Sequence, residues 1–256
     1  MNANLKQRDY HKYDWTWNEI VFEGIKAAMV VILLAYFFYR SVWAVLPLSI
    51  VGILFFRGEC KKKLAKCREE LGIQFRECIL SVVTSMKAGY AVENAFVESR
   101  KDMKLLYGED SLIYEELEGI RRGLVVNITL EEMLFSLGER SDNEHILQFA
   151  QVFAIAKRGG GNLSEIMQST VNLIGQQIDA KREIQTVLSG RKMEQNVMKG
   201  MPFAILLYIG ISYPGYFDVL YHNLQGLVIM TVCLVIYLTA YALGDHILLK
   251  IAKKME

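Results

Sequence analysis

Lys157-Arg-Gly-Gly-Gly-Asn-Leu-Ser-Glu-Ile-Met167 is the stretch whose reading decides the fold. A helical pattern runs into two cations and three glycines, then restarts at Asn162 with Glu165 three residues later. Glycine adopts the left-handed backbone that other residues avoid, and an Asn with a Glu three residues on satisfies the free amides of a new helix. The stretch therefore predicts a tight corner between two helices, with Gly159, Gly160 and Gly161 in the turn and Asn162 as the cap.

The same device occurs twice upstream. Lys87-Ala-Gly89-Tyr-Ala-Val-Glu-Asn-Ala-Phe96 is one copy, and Arg121-Arg-Gly123 followed by Thr129-Leu-Glu-Glu-Met-Leu134 is another. Each reads as cation, glycine, restarting helix, so Gly89 and Gly123 are read as turn glycines. Three such corners within one stretch predict an antiparallel helical bundle.

Working outward, the apolar residues are clustered. The chain of 256 residues is 52% hydrophobic and 22% charged with a formal charge of +1, and its mean hydropathy is +0.21. Residues 27–56 carry Arg40 as their one charge, and 200–249 carry no Lys or Arg. Residues 58–197 hold 19 Lys and Arg against 21 Asp and Glu, interleaved. An all-α, polytopic membrane protein with a water-facing helical domain follows, and the balanced charge argues against nucleic acid as a partner.

Five segments are expected. Residues 1–19 mix Lys6, Arg8 and Lys12 with tyrosines and tryptophans, which suits either a membrane-interface arm or a disordered terminus. Residues 20–57 read as a transmembrane hairpin with Glu23 and Lys26 paired one turn apart. One long tilted helix over the same residues is the other geometry that fits. Basic residues on both flanks, Lys6 to Lys12 and Arg57 to Arg68, favour the double crossing because cytoplasmic loops are enriched in Lys and Arg.

Residues 58–197 form the bundle, and six helices with capping boxes at Thr129–Glu132 and Ser141–Glu144 fit its periodicity. The last of them, from 162 to 197, spans about 54 Å. Residues 198–249 form a second hairpin, with Pro202 in the first turn of its first span. The basic tail 250–256 returns both termini and the central domain to the cytoplasm.

Chemistry finds little footing. The glycine triplet lacks the Lys-Ser or Lys-Thr of a phosphate loop, and Ser189-Gly-Arg-Lys192 has no companion motif. The four histidines are scattered, and Cys60, Cys67, Cys78 and Cys233 have no zinc spacing. No catalytic, cofactor or metal residue is assigned, and no enzyme activity is expected. Asp245-His246 reads as an interfacial anchor. The corners themselves are more informative: Lys87, Arg121, Arg122, Lys157 and Arg158 all fall in last turns of helices. Complementation of the helix dipole explains such cations, and a basic face that docks an acidic partner is the functional alternative.

In these corners the chain resembles the F-protein family of type II secretion systems, in its tight-adherence branch. The resemblance covers about residues 70–200. Its carriers are the stretch from Ile79 to Phe96, Arg122-Gly123 with Leu130-Glu-Glu-Met-Leu134, and Phe153 to Met167, followed by a Pro-containing span at Pro202. The family pattern has two glycines before Asn-Leu; this chain has three. The resemblance implies a multi-pass inner-membrane platform for a type IV-like, tight-adherence pilus. Such a platform couples a cytoplasmic hexameric secretion ATPase to the extraction and assembly of pilin subunits. It also implies a homo-oligomer, or a hetero-oligomer with a paralogous platform protein. A membrane-anchored helical sensor or a transporter subunit unrelated to pili is the alternative class.

Overall fold

The computed structural model describes Tyr10 and residues 17–39, 45–159, 162–213 and 224–255. Among them there is helix and turn and no strand. The helices are α1 (Trp17–Tyr39), α2 (Val45–Lys87), α3 (Val92–Tyr107), α4 (Leu112–Val125), α5 (Leu130–Ser141), α6 (Glu144–Gly159), α7 (Leu163–Ser212) and α8 (Leu224–Met255). The middles of the two expected hairpins, residues 40–44 and 214–223, lie outside the described residues.

Two helices are longer than their sequence suggests. α2 carries its apolar start and its basic run in one helix of 43 residues, about 65 Å long. α7 continues for 50 residues with Pro202 inside it. That corrects the placement of Pro202 in a first turn. Its ring removes one backbone hydrogen bond from a helix interior, a loss of about 3 kcal/mol. The helix nevertheless runs on through Gly200 and Pro202 to Ser212.

The chain divides into two compact units: 1–14 with 60–179, and 15–59 with 180–256. The core of the first draws on α2 through α7. Phe75, Ile79 and Val82 from α2 join Phe96 and Met103 from α3, Ile113 and Leu117 from α4, Leu134 and Leu137 from α5, Phe149 and Phe153 from α6, and Met167 and Val171 from α7. The three- and four-residue spacing of these side chains gives each helix one apolar stripe. Phe75 meets Phe149 edge-on at 5.3 Å, and Phe149 stacks on Phe153 at 6.2 Å. Each such residue, fully buried, stabilises the unit by about 1.5–3 kcal/mol.

One end of this unit is closed by a polar network. Glu116 of α4 is buried and receives Arg140 of α5 at 2.8 and 3.3 Å and the Tyr10 hydroxyl at 3.0 Å. The Arg68 guanidinium donates to the Tyr10 carbonyl at 3.3 and 3.1 Å and pairs with Asp142. Tyr10 is 2% exposed and belongs to the core. For this residue the interface-arm reading is corrected: an aromatic ring with a polar tip suits a protein groove as well as a headgroup layer. The capping box at Ser141–Glu144 is corrected too. Ser141 ends α5, is fully buried, and its hydroxyl donates to the Gly138 carbonyl. Asp142 takes the left-handed turn at φ 48°, and Asn143 caps α6 by accepting from the amides of His145 and Ile146 at 3.1 and 3.4 Å.

The second unit has its own small core, in which Val31, Leu34 and Phe38 of α1 meet Leu48 of α2, with Met230 and Leu234 of α8. Phe203 of α7 packs there against Phe38 and Tyr237, with centroids at 6.5 and 5.3 Å. Glu23 is 5% exposed and accepts from Lys26 at 3.2 Å. Lys199 of α7 reaches Asp245 of α8 at 2.6 Å and lies over the Tyr241 ring. Outward positions are apolar, among them Met29, Ile32, Tyr208, Ile211 and Ile236. Among the described residues one helix, over Gln225–Ile247, is long and apolar enough to cross a membrane, with mean hydropathy 2.2 over 23 residues.

Candidate functional site

The other end of the first unit carries the three corners. At the first, α2 ends on Lys87, and Gly89 sits at φ 98°. The amides of Ala88, Gly89 and Tyr90 return to carbonyls of the last turn, on Thr84, Met86 and Ser85. A side chain at this φ is strained, so glycine serves the turn directly.

The second corner departs from the sequence reading. Gly123 lies within α4 and is buried. A Cβ there would stand 2.2 Å from the Met133 sulfur, so its glycine serves close packing between α4 and α5. The left-handed residue is Asn127, at φ 60°, which tolerates that geometry through its short polar side chain. Thr129 caps α5 by accepting from the Glu132 amide at 3.4 Å.

At the third corner Gly159 is the last residue of α6, and Gly160 and Gly161 lie outside the described residues. Asn162 opens α7: its Oδ1 accepts from the Glu165 amide at 3.4 Å and its Nδ2 donates to the Glu165 carboxylate at 3.2 Å.

The cations at these corners separate into two kinds. Lys157 donates to Glu93 at 2.8 Å and Glu131 at 3.1 Å, tying the end of α6 to the starts of α3 and α5. Acids in first turns and a cation in a last turn complement the helix dipoles. The bond from Lys157 holds the Glu93 carboxyl below its usual range. Burial pushes the Lys157 ammonium down, but its two carboxylates outweigh that and raise it. Arg121 pairs with Glu118 on its own helix, and Arg100 of α3 shares that carboxylate. The bond from Arg121 leads, and Glu118 is pushed down to about 2.

Lys87, Arg122 and Arg158 are of the second kind. Lys87 meets only the neutral Gln168 at 3.2 Å, linking the end of α2 to the start of α7. Arg122 donates to the Glu118 carbonyl. Arg158 is exposed and has no ion pair among the described residues. The contacts of Lys87 and Lys157 place all three corners at one end of the unit. The arrangement can bind a surface; no nucleophile or base pair gathers there. Among the described residues no group of three or more His, Cys, Asp or Glu could hold a metal ion. Cys78, the buried thiol, is pushed up to about 12 by burial, which leaves it a packing group.

Missing from the sequence reading were Phe135 and Ile155, exposed apolar residues off the inward stripes of α5 and α6. Their departure from the three-and-four spacing was the available signal. Comparison with family models, curated proteins and solved structures returns no match to this chain, so no relative's activity bears on this end of the molecule.

Proposed function

We propose that this chain is a multi-pass platform protein of a tight-adherence, type IV-like pilus machine, set in the inner membrane with both termini and its first unit on the cytoplasmic side. α1, the apolar start of α2, the end of α7, and α8 are its membrane segments. Its partners are a hexameric secretion ATPase, pilin subunits and further platform subunits. The observation that carries the reading is the gathering of three helical corners at one end of a charged unit, with Lys87, Arg122 and Arg158 left without carboxylate partners among the described residues. Unpaired cations on one face steer an acidic surface toward it.

α7 supports the mechanical half of the proposal. It opens at the corner end with Asn162 and runs without a break through residues of both units. A helix is stiff along its axis, so movement at the corner reaches apolar sequence 40 residues on. In this mechanism the ATPase pushes on the corner end, and α7 conveys the movement toward pilins held in the bilayer.

The test must spare the internal pairs. Arg121 and Lys157 hold the unit together, so reversing them confounds folding with docking. Arg122→Glu with Arg158→Glu is the clean variant. It is expected to abolish co-purification of the secretion ATPase encoded beside this chain, with helicity and melting unchanged. Undiminished capture of the ATPase removes the docking half of the reading, and normal pili on cells lacking this chain remove the whole.

A further inference from the structure

α5 and α6 pack closely at Gly138, where a Cβ would stand 2.8 Å from the Leu147 Cα. Their inward stripes are filled by Leu134 and Leu137 and by Phe149 and Phe153. Two large apolar side chains escape that sorting. Phe135 is 43% exposed and Ile155 is 73% exposed. A groove with Phe135 and Ala154 in its lining opens between the two helices. Its α5 wall carries Glu132 and Glu139, exposed and without an ion pair among the described residues, and Arg158 is its one cation.

A single exposed isoleucine is ordinary on a protein surface. Here a recess, the apolar pair Phe135 and Ala154, and acids that outnumber the one cation Arg158 coincide. An apolar face beside carboxylates is complementary to an amphipathic helix whose flank is basic. Glu132 and Glu139 lie seven residues apart on one helix, about 10 Å along its axis. Cations on the bound helix therefore recur at a seven-residue interval. A bilayer fits poorly, because anionic headgroups meet carboxylates of the same sign.

We propose that the α5–α6 groove docks an amphipathic helix of a partner protein, its apolar residues on Phe135 and Ala154 and its Lys or Arg residues on Glu132 and Glu139. The inference stands without the pilus reading, because it rests on this groove alone. It also sets an acidic slot next to the corner cations, with Arg158 shared by the two.

The test uses the full chain in detergent and a fluorescein-labelled helical peptide of Leu, Ala and Lys, with Lys at seven-residue intervals. A twin peptide carries Glu in place of Lys. Fluorescence anisotropy is expected to show the Lys peptide binding at least about tenfold more tightly than its twin. Glu132→Lys with Glu139→Lys reverses that preference, and Phe135→Ala weakens the Lys peptide about tenfold with helicity unchanged. Equal binding of the two peptides, no binding by either, or a preference that survives the double charge reversal overturns the proposal. So does self-association of the chain that Phe135→Ala abolishes, since the occupant is then a second copy.

Discussion

The two ends of the first unit treat charge in opposite ways. At the end held by Tyr10, Arg68, Glu116 and Arg140, the polar groups face inward and spend their hydrogen bonds on one another. At the corner end Lys157 and Arg121 are spent internally, while among the described residues Lys87, Arg122 and Arg158 meet no carboxylate. A charge locked in a buried network stabilises and specifies packing but offers nothing to a partner. A charge in a last helical turn with no acid beside it does the reverse. The difference teaches that the functional face of this unit is read from what remains unpaired, since the mere number of cations is misleading.

The largest effect expected from breaking this contrast lies at the closed end. Glu116→Ala takes the carboxylate from the partly buried Arg140 and the acceptor from the Tyr10 hydroxyl. The expected loss is about 3–5 kcal/mol in urea unfolding followed by circular dichroism. A loss below about 1 kcal/mol means that water already satisfies these groups and that the two ends do not differ. The corner end supplies the next test. Lys157→Ala removes two carboxylate contacts of a half-buried cation and is expected to lower stability by about 1 kcal/mol. Arg158→Ala, one residue on, is expected to stay within about 0.5 kcal/mol. Equal losses from the two variants erase the distinction between spent and unspent cations.

The smallest effect is a pH dependence. Glu118 titrates at about 2 in the folded chain against an ordinary 4.5. Its contribution is complete above the unfolded value and is lost as pH falls through the folded one. Between about pH 4.5 and 2 the wild type is expected to lose stability more steeply than Glu118→Gln, measured as the difference in melting temperature across the acid range. Parallel curves mean that solvent screens the Arg121 and Arg100 pairs.

Much of the corner end was legible before any coordinates. Gly89 precedes a restarting helix, Thr129 stands three residues before Glu132, and Asn162 stands three before Glu165; such spacings act through bonds between near neighbours in sequence. What failed were places where near and far partners compete. Ser141 has the spacing of a cap, but its neighbours in space bury it and Asn143 takes the role. Gly123 has the company of a turn glycine, yet Met133 from the next helix explains it. Tyr10 has the setting of a membrane-interface aromatic, and Glu116, more than a hundred residues away, holds it.

The sequence by itself determined the all-helical character, the sorting of apolar from charged stretches, and the start of most helices in the first unit. Those are properties of neighbours a few residues apart, where propensity, periodicity and capping act. Only the tertiary structure decided which cations are consumed, which glycines serve packing, and where Phe135 and Ile155 are left facing solvent. Those depend on side chains brought together across tens of residues, and pairing across such gaps leaves no spacing in the sequence to read.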